Sequence, residues 1–355
     1  MRRIFILAGL LLTLNLVACS EEPMVMAYFP EETDSDIQDK VWPSPPEVPR
    51  YRYAGKLEGE QNFGPDEQTQ ASKGEKFFRW LVGLTQFNEQ PRQLARPQNG
   101  MVGPDGRIYV TDVGNQAVFV FDELAGKLSI WGSADENSSF ISPLGITTGA
   151  LNEILVADAE LGRIVRLDID GNPLGSIGAD ILQRPTGVSI DDDTGNLYVV
   201  DTAAHDIKVF DKTGILINVI GQRGSSLGEF NAPTYLCVNN GKLYVSDTLN
   251  ARVQVLTTDG EALFSIGKRG LYIGNFTRPK GITLDSDGNI YVVESYYDHI
   301  LIFNAEGEYL LPIGGTGSAI GNFFLPAGIW SDTQDRIFTA DMFNGRIVLM
   351  QYLGE

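Results

Sequence analysis

The chain has 355 residues with 46 acidic against 27 basic side chains, a net charge of −19. Neutralising phosphates takes clustered Lys and Arg, so nucleic acid is not expected as a partner, and the same acidity argues against lying flat on anionic lipid. Its 43% apolar residues suffice for one large core, and its two cysteines offer no disulfide framework.

Met1-Arg2-Arg3 and the apolar run to Leu14 have the charged and apolar regions of a signal peptide, too short to settle as a transmembrane helix. The run ends in Leu16-Val17-Ala18-Cys19, which resembles the lipobox of bacterial lipoproteins. The resemblance implies a signal at residues 1–18, lipidation of Cys19 and a membrane contact through the acyl anchor. Cleavage before Cys19 leaves 25 basic against 46 acidic side chains, a net of −21. Ser20 resembles the pattern sorted to the outer membrane in enteric bacteria. The expected location is therefore the bacterial cell envelope, at the outer membrane facing the periplasm or the cell surface. Residues 19–49 are acidic and proline-rich, a composition that reads as an extended tether of up to ~90 Å at about 3.1 Å per residue.

Arg50-Tyr-Arg-Tyr-Ala-Gly-Lys-Leu57 alternates with aromatic strand formers. An insertion over about 64–95 follows, in which Ser72 to Leu84 reads as a helix with Ser72 as N-cap and Glu75 completing a capping box. Its Phe77, Phe78, Trp80, Leu81 and Leu84 need an apolar bed.

From Pro97 onward the sequence repeats. Prolines at 97, 143, 185, 233, 279 and 326 open six units at steps of 46, 42, 48, 46 and 47 residues. The units share one pattern, from which single copies depart: Pro-x-Gly-(Ile/Val), an apolar strand ending in an acid, a polar turn, an alternating strand, a Gly-containing turn and a last strand into Ile-Gly. The acid-ended strands are Ile108-Asp112, Ile154-Asp158, Leu197-Asp201, Leu243-Asp247, Ile290-Glu294 and Ile337-Asp341. Such a period of short strands predicts an all-β, six-bladed β-propeller with one four-stranded sheet per blade. The chain stops just after the third strand of unit six. An open edge is costly, so the Arg50–Leu57 strand is expected to complete blade six and close the ring.

In units four and six the acid is followed by Thr-Leu-Asn250-Ala-Arg252-Val and Met-Phe-Asn344-Gly-Arg346-Ile. With Pro-x-Gly-Ile and Asp-x-x-Gly-x-Ile-Tyr-Val, this resembles the NHL repeat, and the resemblance runs from Pro97 to the C-terminus. Copies diverge: Ala117 stands in place of the Arg in unit one, Leu161 in place of the Asn in unit two, and Tyr235 in place of the Gly in unit four. Six-bladed relatives include amidating lyases with a three-histidine zinc site; here the only histidines are His205 and His299, so that site cannot be built. Lactonase-like relatives hold calcium with acids and asparagines at the inner strand ends. The corresponding residues here are Gln98, Asn99, Leu144, Thr186, Thr234, Lys280 and Ala327, without an acid. No metal or other cofactor is expected, and no Cys-x-x-Cys-His motif for covalent haem is present.

The Asp168–Asn172, Asp191–Asn196 and Asp285–Asn289 runs read as hairpin turns. The six acids that end the second strands read as structural hydrogen-bond acceptors, with the following Arg as ion partner where present. Cys237 reads as a small buried hydrophobe.

Residues that break the repeat at turn tips carry the functional information. Leu249, Tyr272, Tyr296, Tyr297, Phe323, Phe324, Met342 and Phe343 fall on turns or connections of blades four to six that share one face. They are expected to form an apolar, aromatic partner-binding sector, or else the bed for the 72–84 helix. The expected function is a monomeric, lipid-anchored binding or assembly module for an unidentified envelope protein. The alternative is a propeller-type lyase or hydrolase using Lys280, Asn99 or a loop Tyr in the central mouth.

Overall fold

A computed structural model describes residues 24–28, 40–65 and 91–354 of the chain. Each opening proline starts or shortly precedes an inner strand, and three further antiparallel strands step outward, as in Pro97–Val102, Ile108–Asp112, Ala117–Asp122 and Lys127–Trp131 of blade one. Six such blades form the propeller. The second strands Ile108–Asp112, Ile154–Asp158, Leu197–Asp201 and Ile290–Glu294 are buried along their whole length. Both of their faces meet a neighbouring blade, which is why they read as continuous apolar runs. The outer strands Pro173–Ile177 and Leu216–Ile220 show only their ends to the interior.

The core lies between blades. One apolar cluster, for example, joins Val253 and Val255 of blade four to Ile290 and Leu301 of blade five. A recurring anchor sits three residues before each opening proline: Leu94, Phe140, Leu182, Phe230, Phe276 and Phe323, all buried. The Ile-Gly that ends the outer strand makes room for it. A Cβ on Gly221, whose φ is +79°, would stand 2.4 Å from the Phe230 ring, and one on Gly267 2.3 Å from Phe276. Only glycine meets both conditions, left-handed backbone and contact with a ring.

Closure follows the sequence expectation. Tyr51–Leu57 pairs antiparallel with Arg346–Tyr352 and completes the blade whose inner strands are Ile329–Ser331 and Arg336–Asp341. Tyr51, Tyr53 and Leu57 are buried in the clusters flanking that blade.

The stretch expected to be a free tether is partly seated on the propeller. Val41–Trp42 pairs with Arg52 and Tyr51, adding a fifth strand to blade six. Met24–Met26 pairs with Phe63–Pro65. Tyr28 lies against Gly55, accepts the Lys56 amide (2.8 Å) on its carbonyl, and donates its hydroxyl to Glu123 (2.9 Å). Composition averaged over 31 residues misses this, because Met26, Tyr28 and Trp42 each find an apolar groove that the average cannot register. The 72–84 segment, expected as a helix, and Cys19 lie outside the described residues.

Candidate functional site

In each blade the turn after the second strand and the connection into the next blade emerge on the same face, here called upper. Hydrogen bonds join them: the Phe343 amide donates to the Phe324 carbonyl (3.1 Å), the Leu249 amide to the Asn231 carbonyl (3.0 Å), and the Arg269 guanidinium to the Leu249 carbonyl (2.6 Å).

This face carries the sector. Tyr272 is 85% exposed, Tyr296 55%, Leu249 53% and Phe343 50%, with Phe324 also exposed and Tyr297 and Met342 half-buried. Phe324 and Phe343 pack with ring centroids 5.5 Å apart, and Tyr296 and Tyr297 meet edge to face at 4.9 Å. The two pairs adjoin, since the Leu325 amide donates to Asp298 (2.7 Å) in the turn that holds the tyrosines. Leu271 and Ile273, which the sequence reading passed over, stand exposed on either side of Tyr272. The signal was present in Gly270-Leu-Tyr-Ile-Gly274, an apolar run held at a loop tip by flanking glycines. Beside them Tyr272, Tyr297, His299 and Leu301 line a small hollow of about 90 Å³. Phe323 is corrected: it is fully buried, being the inter-blade anchor of blade six, and takes no part in the surface. The described chain resumes after residue 90 on this face, whereas Phe63–Pro65, the strand before the break, pairs with Met24–Met26. Glu60 and Arg92 pair at 2.6 Å, and Leu94 O lies against Gly345 in the Met342–Asn344 turn.

The ring of acids is structural, as expected. Each carboxylate is buried and accepts amides from the connection ahead of its own blade: Ala95 on Asp112 (2.7 Å), Ile141 on Asp158 (2.8 Å), Gln183 on Asp201 (2.8 Å), Asn231 on Asp247 (2.7 Å), Thr277 on Glu294 (2.7 Å) and Phe324 on Asp341 (2.7 Å). Arg252 and Arg346 add ion pairs to Asp247 (2.9 Å) and Asp341 (2.7 Å). Arg163 instead turns to Asp135 (2.5 Å). Burial raises the carboxyl pKa of Glu294 and Asp341 above the usual range, against the lowering effect of their hydrogen bonds.

Both histidines are engaged locally. His205 Nδ1 accepts the Ala232 amide (3.0 Å), and His299 Nδ1 contacts the Tyr297 carbonyl. The acidic runs are turns: Asp168 and Asp285 each accept the amide four residues on, at 2.8 Å in both cases. Among the described residues no group of three or more His, Cys, Asp or Glu side chains is placed to hold a metal ion.

The central channel is closed by a residue that breaks the Pro-x-Gly pattern. In blades two, three, five and six that glycine lets inner strands touch, as where a Cβ on Gly145 would lie 2.3 Å from Thr186 O; blade one carries Asn99 there. Tyr235 takes the place in blade four and is buried. Its hydroxyl donates to Gln98 O (3.3 Å) in blade one, diametrically across the ring. Burial alone pushes its pKa well above the usual phenol value. Above it Lys280 is half-buried, and no ion pair or hydrogen bond to its ammonium is present among the described residues. Desolvation, and then the charge of Arg278, lower its pKa. Asn99 Oδ1 is likewise buried without a partner among the described residues. On the lower face two adjoining depressions of about 740 and 680 Å³ share Val102, Pro104, Asp192 and Thr333. The sequence reading did not anticipate them. Their acids are largely committed, Asp332 to Arg336 (2.6 Å) and Asp335 to the Ser286 hydroxyl (2.7 Å).

The NHL repeat model matches residues 182–210, which run from the anchor Leu182 to the third strand of blade three. No curated protein matches the chain by sequence. Among solved structures it is similar to a Bacteroides thetaiotaomicron protein of unknown function, with 16% identity, TM-score 0.59, and 74% of this chain and 70% of that one covered. It is also similar to an auxiliary nutrient binding protein from Bacteroides ovatus (12% identity, TM-score 0.57, 72% and 69% covered). A virginiamycin B lyase from Staphylococcus aureus aligns at 18% identity and TM-score 0.54, with 75% and 83% covered. At such identities the likeness is one of fold. The chain is a six-bladed β-propeller with an NHL repeat in its third blade.

Proposed function

We propose that this chain is a lipid-anchored, extracytoplasmic propeller of the bacterial envelope whose upper face over blades four to six binds a protein partner. One observation carries the reading: Leu249, Leu271, Tyr272, Ile273, Tyr296, Phe324 and Phe343 are all exposed on one face, several as packed pairs. Rigid aromatic groups on a fixed scaffold lose little entropy on docking and form the usual anchors of an interface. The test places a photo-crosslinker at Tyr272 in cells and compares adducts with those of a Tyr296→Ser, Phe324→Ser, Phe343→Ser variant of matched thermal stability. A discrete adduct lost in the variant supports the reading, and identical adducts in both defeat it.

Lys280 favours a second reading, a lyase or hydrolase working in the upper mouth. An unpaired, partly desolvated ammonium with a lowered pKa is the form in which lysine serves as a base or nucleophile. Among the structural neighbours, the virginiamycin B lyase bears an enzyme's name. Trapping of Lys280 by a lysine-directed acylating probe at pH 7, faster than that of other lysines and blocked by a mouth-binding compound, would favour this reading over the first.

A further inference from the structure

We propose that the lower rim of blade one is a membrane-contacting edge, so that the propeller is held close against the lipid surface with its aromatic upper face turned away. The proposal rests on the lipid anchor at Cys19 and says how that anchor orients the domain.

The described chain begins at Met24, and that point is fixed. Gly126, in the turn between the third and fourth strands of blade one, packs directly on the Met24 carbonyl. Two residues on, Met26 pairs with Phe63, whose ring stacks on Phe121 with centroids 6.2 Å apart. The Tyr28 hydroxyl is held by Glu123 (2.9 Å) and Arg336 (3.1 Å). Glu123 lies in the same turn as Gly126, and Arg336 opens the second strand of blade six. All of these mark the lower face, opposite Tyr272, Tyr296 and Phe343.

Four residues, hence five Cα steps, separate Cys19 from Met24. However they fold, they reach no more than about 18 Å, a fraction of the span that 31 free residues would give. An acylated Cys19 would therefore hold this corner at the headgroup region. The corner is also suitably apolar: Leu124 is 94% exposed, Val25 45% and Met24 42%. The rest of the lower face carries Asp192, Asp193, Asp287 and Asp332 in its turns. Those charges oppose flat contact with an anionic leaflet, so the rim, not the whole face, is the surface that meets lipid.

The test uses the full mature chain purified with its anchor, in the Cys237→Ala background, bound to phosphatidylethanolamine–phosphatidylglycerol vesicles carrying a headgroup nitroxide lipid. A fluorophore is attached through Leu124→Cys or Tyr272→Cys, and mass spectrometry reads the acylation of Cys19. Quenching at position 124 is expected to exceed that at 272 about fivefold or more. A flexible insertion of about 30 residues between positions 22 and 23 should reduce it to the level at 272. Equal quenching at the two positions in acylated, vesicle-bound protein overturns the proposal and leaves the anchor intact. An unmodified Cys19 overturns the anchor reading itself and the proposal with it.

Discussion

Two truncations separate the strand that closes the ring from the segments that lie upon it. Removing residues 1–57 deletes Tyr51–Leu57 and its pairing with Arg346–Tyr352. It also strips Tyr51, Tyr53 and Leu57 from two inter-blade clusters, where they are 1%, 4% and 0% exposed. At about 1.5–3 kcal/mol per buried large side chain, the loss is roughly 5–9 kcal/mol before the open edge of the third strand is counted. That rivals the whole stability of an ordinary domain, about 5–15 kcal/mol. Removing residues 1–49 instead deletes Met26, Tyr28 and Trp42, which are only partly buried and touch the rim. Half-burial of three such side chains contributes about 2–4 kcal/mol, a fall of roughly 3–6 °C in thermal midpoint for a domain of this size. Circular dichroism melts of the purified proteins should show a cooperative, modestly lowered transition for the shorter truncation, and none or an aggregating one for the longer. Equal midpoints would refute the assignment of Tyr51–Leu57 as the closing strand.

Arg346→Met should cost about 3–5 kcal/mol, read from urea midpoints, because it leaves buried Asp341 without its ion partner and the Asn322 carbonyl (2.9 Å) without its donor. A loss under about 1 kcal/mol would show that the pair is dispensable. Lys280 has a pKa lowered in the folded state, so between that value and 10.5 the unfolded chain binds the extra proton and stability rises with pH. Lys280→Met should therefore melt higher than wild type at pH 7, with the gap closing as pH approaches 10.5; a constant gap would contradict the cause assigned. Burial pushes the Cys237 thiol up to about 12, so its alkylation rate should climb about tenfold per pH unit from 7 to 10 without levelling near 9. Levelling near 9 would mean an ordinary thiol.

The propeller was legible because its cause is local and repeated six times: a proline to open the inner strand, an apolar run to lie between blades, an acid to catch the preceding connection, and a glycine to admit a ring. Phe323 shows the limit of reading by kind of residue. Phe323 and Phe324 are adjacent and chemically identical, yet only the one three places before Pro326 is an inter-blade anchor, and counting from the proline distinguishes them. Tyr235 was visible as a broken glycine, but that it spans the channel to Gln98 depends on which blade stands opposite, a fact of closure that no single repeat contains. The depressions on the lower face and the docking of Tyr28 against Gly55 join residues far apart in sequence, so neither leaves a local trace.

The charge around the aromatic sector differs from that of the lower face, and the difference bears on the partner. Hairpin turns of the lower face use Asp and Asn for their own hydrogen bonds, and so collect acids such as Asp168, Asp211, Asp285 and Asp332. On the upper face the equivalent acids are buried and spent on backbone amides, while Arg223, Lys268, Arg269 and Arg278 stand exposed on the connections that flank Tyr272 and Tyr296. A chain of net charge −19 thus presents its aromatic sector inside a basic margin. A partner complementary to that surface has an apolar centre and an acidic rim, and the rim charges chiefly accelerate encounter. With a crosslinked partner in hand, association should slow about tenfold or more between 50 mM and 500 mM salt, as the screening length falls from about 14 Å to about 4 Å. Dissociation, set by the aromatic anchors, should change little. Association that quickens with salt would mean that the two surfaces repel, and the partner would then be docking elsewhere than on this margin.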